Sequence, residues 1–313
     1  MLRQIIFIST FILLNSLSSL TYSAVCSTNS NGEITTSTEC TANAVARRLM
    51  IYEIGLCEGR SSTMSAAHPT ASKAFIPDRM GVSCSRIFNN PDGVIVDFTS
   101  TLSTPLTGNY YRPPDGTYNS LYMILSAERG GIKANFDFSS TRNIDDTASS
   151  YNSSASGTKC WTENGTHFNW SASSWDISQS DVNCGSSLST DYGFSETKQN
   201  SLTSNAALFS QTISTQIGDV DIFLLKSDNT LATSASADSM GNVSKLGVIA
   251  PKSSITVREE HNTMSIGFKV LDGTNIDQKV DTSTGDIYVY GLNGNGGIDT
   301  QISMGTIDFI VPY

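Results

Sequence analysis

Apolar and polar residues alternate with a period of two along most of this chain, the spacing of half-buried strands rather than of helices. Residues 93–100 (GVIVDFTS) set Val94, Val96 and Phe98 against Asp97 and Thr99, and the turn NPDG leads into them. Residues 116–128 (GTYNSLYMILSAE) predict a second strand. The following ERGG then predicts a hairpin into 132–138 (IKANFDF), with Gly130 and Gly131 supplying the positive φ values of a tight turn. Further strands are expected at 219–225, 245–250, 254–259, 264–271 and 286–290.

One segment mixes its signals. Residues 43–57 (NAVARRLMIYEIGLC) open with helix formers, then alternate through Met50, Tyr52, Ile54 and Leu56. They read as a short helix or loop feeding a strand that ends at Cys57. Apart from one short stretch at 204–211 (SNAALFSQ), no helical stripe exceeds two turns. The fold expected is all-β: a β-sandwich, jelly-roll-like, forming one domain over 25–313.

Residues 139–204 interrupt this pattern, being dense in Ser, Thr and Asn. A bare loop of that length is unusual in a compact domain. The stretch therefore reads as an insertion on the sandwich, closed by its own disulfide. At the other extreme, 305–313 (GTIDFIVPY) place Ile307, Phe309, Val311 and Tyr313 on one side of an extended segment. Termini fray unless tied into structure. This one is expected either to be a core strand of its own sheet or to complete a neighbouring subunit by strand donation.

The first residues carry a targeting pattern. Arg3, the apolar run 5–14 (IIFISTFILL) and small residues up to Ala24 form a secretory signal over 1–24. The apolar run is too short to span a bilayer, which takes about 20 residues. All six cysteines lie beyond it, an even count that reads as disulfides in an exported chain. Pairing by sequence proximity gives Cys26–Cys40, Cys57–Cys84 and Cys160–Cys184. The localisation that follows is secreted: extracellular, cell-surface or periplasmic.

The net charge is −10, and one unit more negative once Arg3 leaves with the signal. Charged residues make up 15%, against about 25% in ordinary domains. The acidic balance disfavours nucleic acid and anionic membranes as partners.

No catalytic residues emerge. The chain lacks G-x-S-x-G, H-E-x-x-H, a P-loop and a dinucleotide fingerprint, and His68, His167 and His261 are scattered. Asp272, Asp277 and Asp281, around the turn LDGTNID, form a candidate calcium site, because calcium takes six to eight oxygens that loops commonly supply. The same residues also read as turn formers, and that is the reading preferred.

All three tryptophans fall within sixteen residues, CWTENGTHFNWSASSW. Trp161, Phe168, Trp170 and Trp175 form either a small satellite core or an exposed platform on which sugar rings could stack. Sequons at Asn152, Asn164, Asn169 and Asn242 are near chance in so Ser/Thr/Asn-rich a chain. The expectation is a non-enzymatic surface, matrix or appendage protein that contacts copies of itself or other extracellular components. A carbohydrate-binding module using the tryptophan loop is the alternative, and a secreted glycan-active enzyme the third reading.

Overall fold

The computed structural model describes residues 24–58, 75, 84–99, 106–127, 130–144, 155–170, 175–177, 182–198, 210–215, 218–232, 243–259 and 274–291. Every regular element among them is a strand. In chain order they are β1 (Cys40–Ala42), β2 (Ala46–Cys57), β3 (Cys84–Thr99), β4 (Asn109–Tyr110), β5 (Gly116–Ser126) and β6 (Gly130–Lys133). Then follow β7 (Asn135–Ile144), β8 (Ser156–Thr162), β9 (Gly165–Trp170), β10 (Trp175–Ile177), β11 (Val182–Gly185) and β12 (Ser195–Lys198). The last are β13 (Ser210–Thr215), β14 (Gly218–Leu225), β15 (Lys245–Val257), β16 (Thr274–Val280) and β17 (Ile287–Gly291).

The strands form two sheets. The smaller runs β1-β16-β17-β7-β8-β11. The larger runs β10-β9-β12-β6-β2-β5-β15-β14-β13, with β3 along β2 and β4 beside β3. The all-β expectation holds. All three disulfides join the expected partners: Cys26–Cys40, Cys57–Cys84 and Cys160–Cys184. The last two lie between residues directly opposite each other, on β2 and β3 and on β8 and β11.

The expected hairpin at ERGG does not form. β5 and β6 both run antiparallel to β2, pairing with its Ile51–Cys57 and Ala46–Arg48 portions respectively. They are successive lengths of one path, which β7 continues into the smaller sheet. Gly130 and Gly131 are not among the positive-φ residues. The glycine at 131 serves close approach instead, since a Cβ there would sit 2.7 Å from the Ser195 carbonyl on β12. NPDG likewise does not begin a strand. It is a four-residue bulge inside β3, between the pairs Glu53↔Asn89 and Ile51↔Val94, with Gly93 at φ 76° and Asn90 Oδ1 accepting from the Asp92 amide.

In 43–57 the strand starts at Ala46, so the helix-forming ARRLM is extended. Pairing with β3 on one side and β6 on the other overrides intrinsic propensity there.

Central strands of the larger sheet are buried on both faces. Leu121, Met123 and Leu125 of β5 join Ile54, Leu56, Ile222, Leu224 and Val248 in one cluster. Tyr122 and Ile124 join Cys57, Phe75, Phe223, Leu225 and Ile249 in another. Such strands read as continuous apolar runs, which LYMIL and IFLL are. The smaller sheet has its own cluster, in which Phe136, Phe138, Ile144, Val182, Ile276 and Val289 surround two of the disulfides.

Beside this second cluster lies Arg142, fully buried. Its guanidinium donates to Gln278 Oε1 (3.0 Å), Ser140 O (2.9 Å), Ser140 Oγ (2.7 Å) and Thr36 O (3.0 Å), and lies over the Phe138 ring. Burial pulls its pKa down to about 10. The contacts pin the N-terminal segment to the smaller sheet.

Of the polar stretch 139–204, β8, β11 and part of β7 belong to the smaller sheet, while β9, β10 and β12 extend the larger. The signal segment before Ala24, the strand expected at 264–271, the stretch at 204–209 and the terminal residues Ile307, Phe309, Val311 and Tyr313 lie outside the described residues. No helix among the described residues is long and apolar enough to cross a membrane.

Candidate functional site

Among the described residues, a row of polar side chains crosses four strands of the larger sheet in register. Asp97 on β3 faces Arg48 on β2, Arg48 faces Gly131 on β6, and Gly131 faces Glu196 on β12. Residues opposite one another share a sheet face. The absent side chain at Gly131 leaves room for Arg48 to reach across a strand. Arg48 binds Asp97 through two parallel bonds, Nε to Oδ1 at 2.8 Å and Nη2 to Oδ2 at 2.9 Å. Its Nη1 donates to Glu196 Oε1 at 3.2 Å. The guanidinium stacks 3.9 Å from the centre of the Phe194 ring. Its pKa is raised, chiefly by the Asp97 hydrogen bond, with burial opposing and Glu196 adding to the rise.

At the Asp97–Arg48 end of this row opens a cleft of about 660 Å³, which Lys133, Glu163, Asn164, Asp191 and Tyr192 also line. That volume lies within the range of roughly 300–1,000 Å³ typical of small-molecule sites. The ends of β6 and β8 fix its position. Thr162 Oγ1, fully buried, accepts from the Ala134 amide (3.0 Å) where the chain passes from β6 to β7, and donates to Gly193 O (2.7 Å). Backbone bonds from Asn164 N to Asp191 O and from Gly193 N to Thr162 O fasten the 186–194 loop over the β8–β9 turn.

Other groups in the cleft are held too. Glu163 Oε1 accepts from Asn183 Nδ2 at 2.7 Å, and Lys133 Nζ lies 4.5 Å from the centre of the Tyr192 ring. The Tyr192 hydroxyl is raised in pKa by burial, with Asn135 partly offsetting this. Asn164, Thr190 and Asp191 remain exposed. The cleft thus presents donors and acceptors in nearly balanced charge, with Arg48, Asp97, Glu163 and Lys133 each held by a neighbouring side chain.

The residues singled out from the sequence lie elsewhere. Trp161, on β8, is a core residue, 4% exposed and packed over Gly185, and its indole N–H has no partner among the described residues. Trp170 and Trp175 face each other across the β9–β10 ladder, and Phe168 faces Ile177. The tryptophan-rich stretch is therefore divided, with one indole in the smaller sheet and two on paired strands at an end of the larger.

Of the calcium candidates, Asp272 lies outside the described residues and Asp277 sits in β16. Asp281 closes the β16–β17 hairpin, its Oδ1 accepting from the Ser283 amide and hydroxyl, bonds that lower its pKa. Among the described residues, no three His, Cys, Asp or Glu side chains converge as metal ligands.

Sequence reading did not find the cleft. Arg47-Arg48, a cationic pair in a chain with few cations, and the sequon asparagine Asn164 were its only local signals. No family model matches the chain, and no curated protein or solved structure matches it either.

Proposed function

We propose that this is an exported, non-enzymatic surface, matrix or appendage protein that works by contact and assembly. Its two sheets would pack as a jelly-roll-like sandwich once the signal 1–24 is removed. One observation carries the reading: among the described residues both sheets are open, and disulfides tie neighbouring strands within each. Open sheets offer edges to which an extended segment can add. Cross-strand disulfides keep such sheets rigid outside the cell, where they persist. The exposed Tyr110 and Tyr111, at β4 beside the margin strand β3, add amphipathic contact surface of a kind enriched at interfaces.

The test is negative-stain microscopy and light scattering on the mature, oxidised chain, with and without residues 306–313. Filaments or ordered oligomers are expected, lost on deletion and restored by an added peptide of the terminal segment. Circular dichroism of the truncated chain separates lost assembly from lost folding. A folded, truncated chain that assembles normally excludes donation of this segment.

A further inference from the structure

We propose that the cleft beside the Asp97–Arg48 pair binds a neutral, polyhydroxylated ligand, a saccharide, and that Asn164 and Asp191 are its principal hydrogen-bonding residues. Charge and surface exclude the other ligand classes. Arg48 is held by two carboxylates, so its positive charge is already balanced. An anion entering the cleft would meet Asp97, Glu163 and Asp191, with Lys133 as the one cation of the lining not held by an acid among the described contacts. An apolar ligand would find little apolar wall, because Phe194 is 8% exposed and Arg48 caps it. A compact cation would meet the Lys133 ammonium, and the acids it would need are engaged, Asp97 with Arg48 and Glu163 with Asn183.

A ligand that both donates and accepts, without net charge, satisfies every group present. Vicinal hydroxyls do this: they donate to the carboxylates of Asp97, Glu163 and Asp191 and accept from the Asn164 amide and the Lys133 ammonium. The Tyr192 ring offers the cleft its only partly exposed aromatic surface, suited to the C–H face of a sugar. Preorganisation favours recognition over incidental polarity. Asp97 is locked to Arg48 and Glu163 to Asn183, and a backbone bond fixes Asp191 and Asn164 relative to each other, so binding has to order only the exposed side chains of those two.

The experiment uses the full mature chain, oxidised. Isothermal titration calorimetry and saturation-transfer NMR are run with cellotetraose, maltotetraose, xylotetraose and chitotetraose. Spermidine and a chondroitin sulfate tetrasaccharide serve as charged comparisons. At least one neutral oligosaccharide is expected to bind saturably and more tightly than either charged probe. Asn164→Ala and Asp191→Ala should each weaken it tenfold or more without shifting the melting temperature. Asp137→Ala, at the exposed Asp137–Lys159 pair on the smaller sheet, should leave it unchanged.

Failure of all four neutral probes overturns the proposal. So does preference for a charged probe, or binding that survives both cleft substitutions. The result is independent of assembly: a monomer that binds sugar contradicts only the assembly reading, and an assembly that binds none contradicts only this one.

Discussion

Replacing Tyr122 with phenylalanine removes a single hydroxyl from the interior of the larger sheet. Tyr122 is 1% exposed and donates to Glu53 Oε1 at 2.8 Å, and the other oxygen of that buried carboxylate meets Arg86 Nε at 3.1 Å. A hydrogen bond to a charged group contributes about 1.5–3 kcal/mol. Because Arg86 stays on Glu53, the carboxylate keeps one partner, so Y122F should cost about 2 kcal/mol at pH 7.

The pH dependence makes the argument sharper. Burial, then the charge of Glu53, hold the Tyr122 hydroxyl far above its ordinary value. An unfolded tyrosine ionises near about pH 10. Its folded pKa is the higher of the two, so the stability it contributes is complete below pH 10 and is lost as pH climbs from there. The loss is about 1.4 kcal/mol per pH unit, and phenylalanine has no such term. The unfolded tyrosine is already half ionised at pH 10, so the gap between wild type and variant should narrow by about 1 kcal/mol between pH 10 and 11. Urea titrations followed by far-UV circular dichroism at several pH values from 7 to 11, disulfides intact, measure it. A gap that stays constant to pH 11, or one near zero at pH 7, would refute the reasoning.

Three further perturbations follow from the same geometry. Arg48→Ala removes the bidentate pair with Asp97 and the bond to Glu196, 7% exposed; a loss of about 2 kcal/mol is expected in denaturant midpoints, with Arg48→Lys recovering only part because a lysine cannot bridge both oxygens of Asp97. Arg142→Ala should destabilise by about 3 kcal/mol and Arg142→Met by roughly half as much, since methionine refills the space and removes a buried charge; equal losses in thermal melts would contradict this. Replacing Cys160 and Cys184 by serine opens a loop with a sequence separation of 24, which in the chain-entropy account costs about 3 kcal/mol, read as a lower melting temperature with unchanged far-UV spectrum.

The elements were legible where local pattern and local environment agree. Strand periodicity located β5, β14, β15 and β17, and proximity along the chain paired all six cysteines. Glycine misled at 130–131, because a turn and a close strand approach require the same residue; only the β12 carbonyl beside Gly131 decides between them. Propensity misled at 46–50, where two flanking strands outweigh the helix preference of Ala, Arg, Leu and Met.

The cleft was illegible for a different reason. Residues 48, 97, 131 and 196 share a row only because four strands distant in sequence align in register, and no spacing along the chain encodes that alignment. The tryptophans drew attention by their clustering, yet Trp161 belongs to a different sheet from Trp170 and Trp175.

The central claim is that this chain acts by assembling, and its solution mass tests that most directly. Multi-angle light scattering on the mature, oxidised protein, diluted serially from the export compartment, should return multiples of the monomer mass that fall as concentration falls. A single monomer mass at every concentration would contradict the claim.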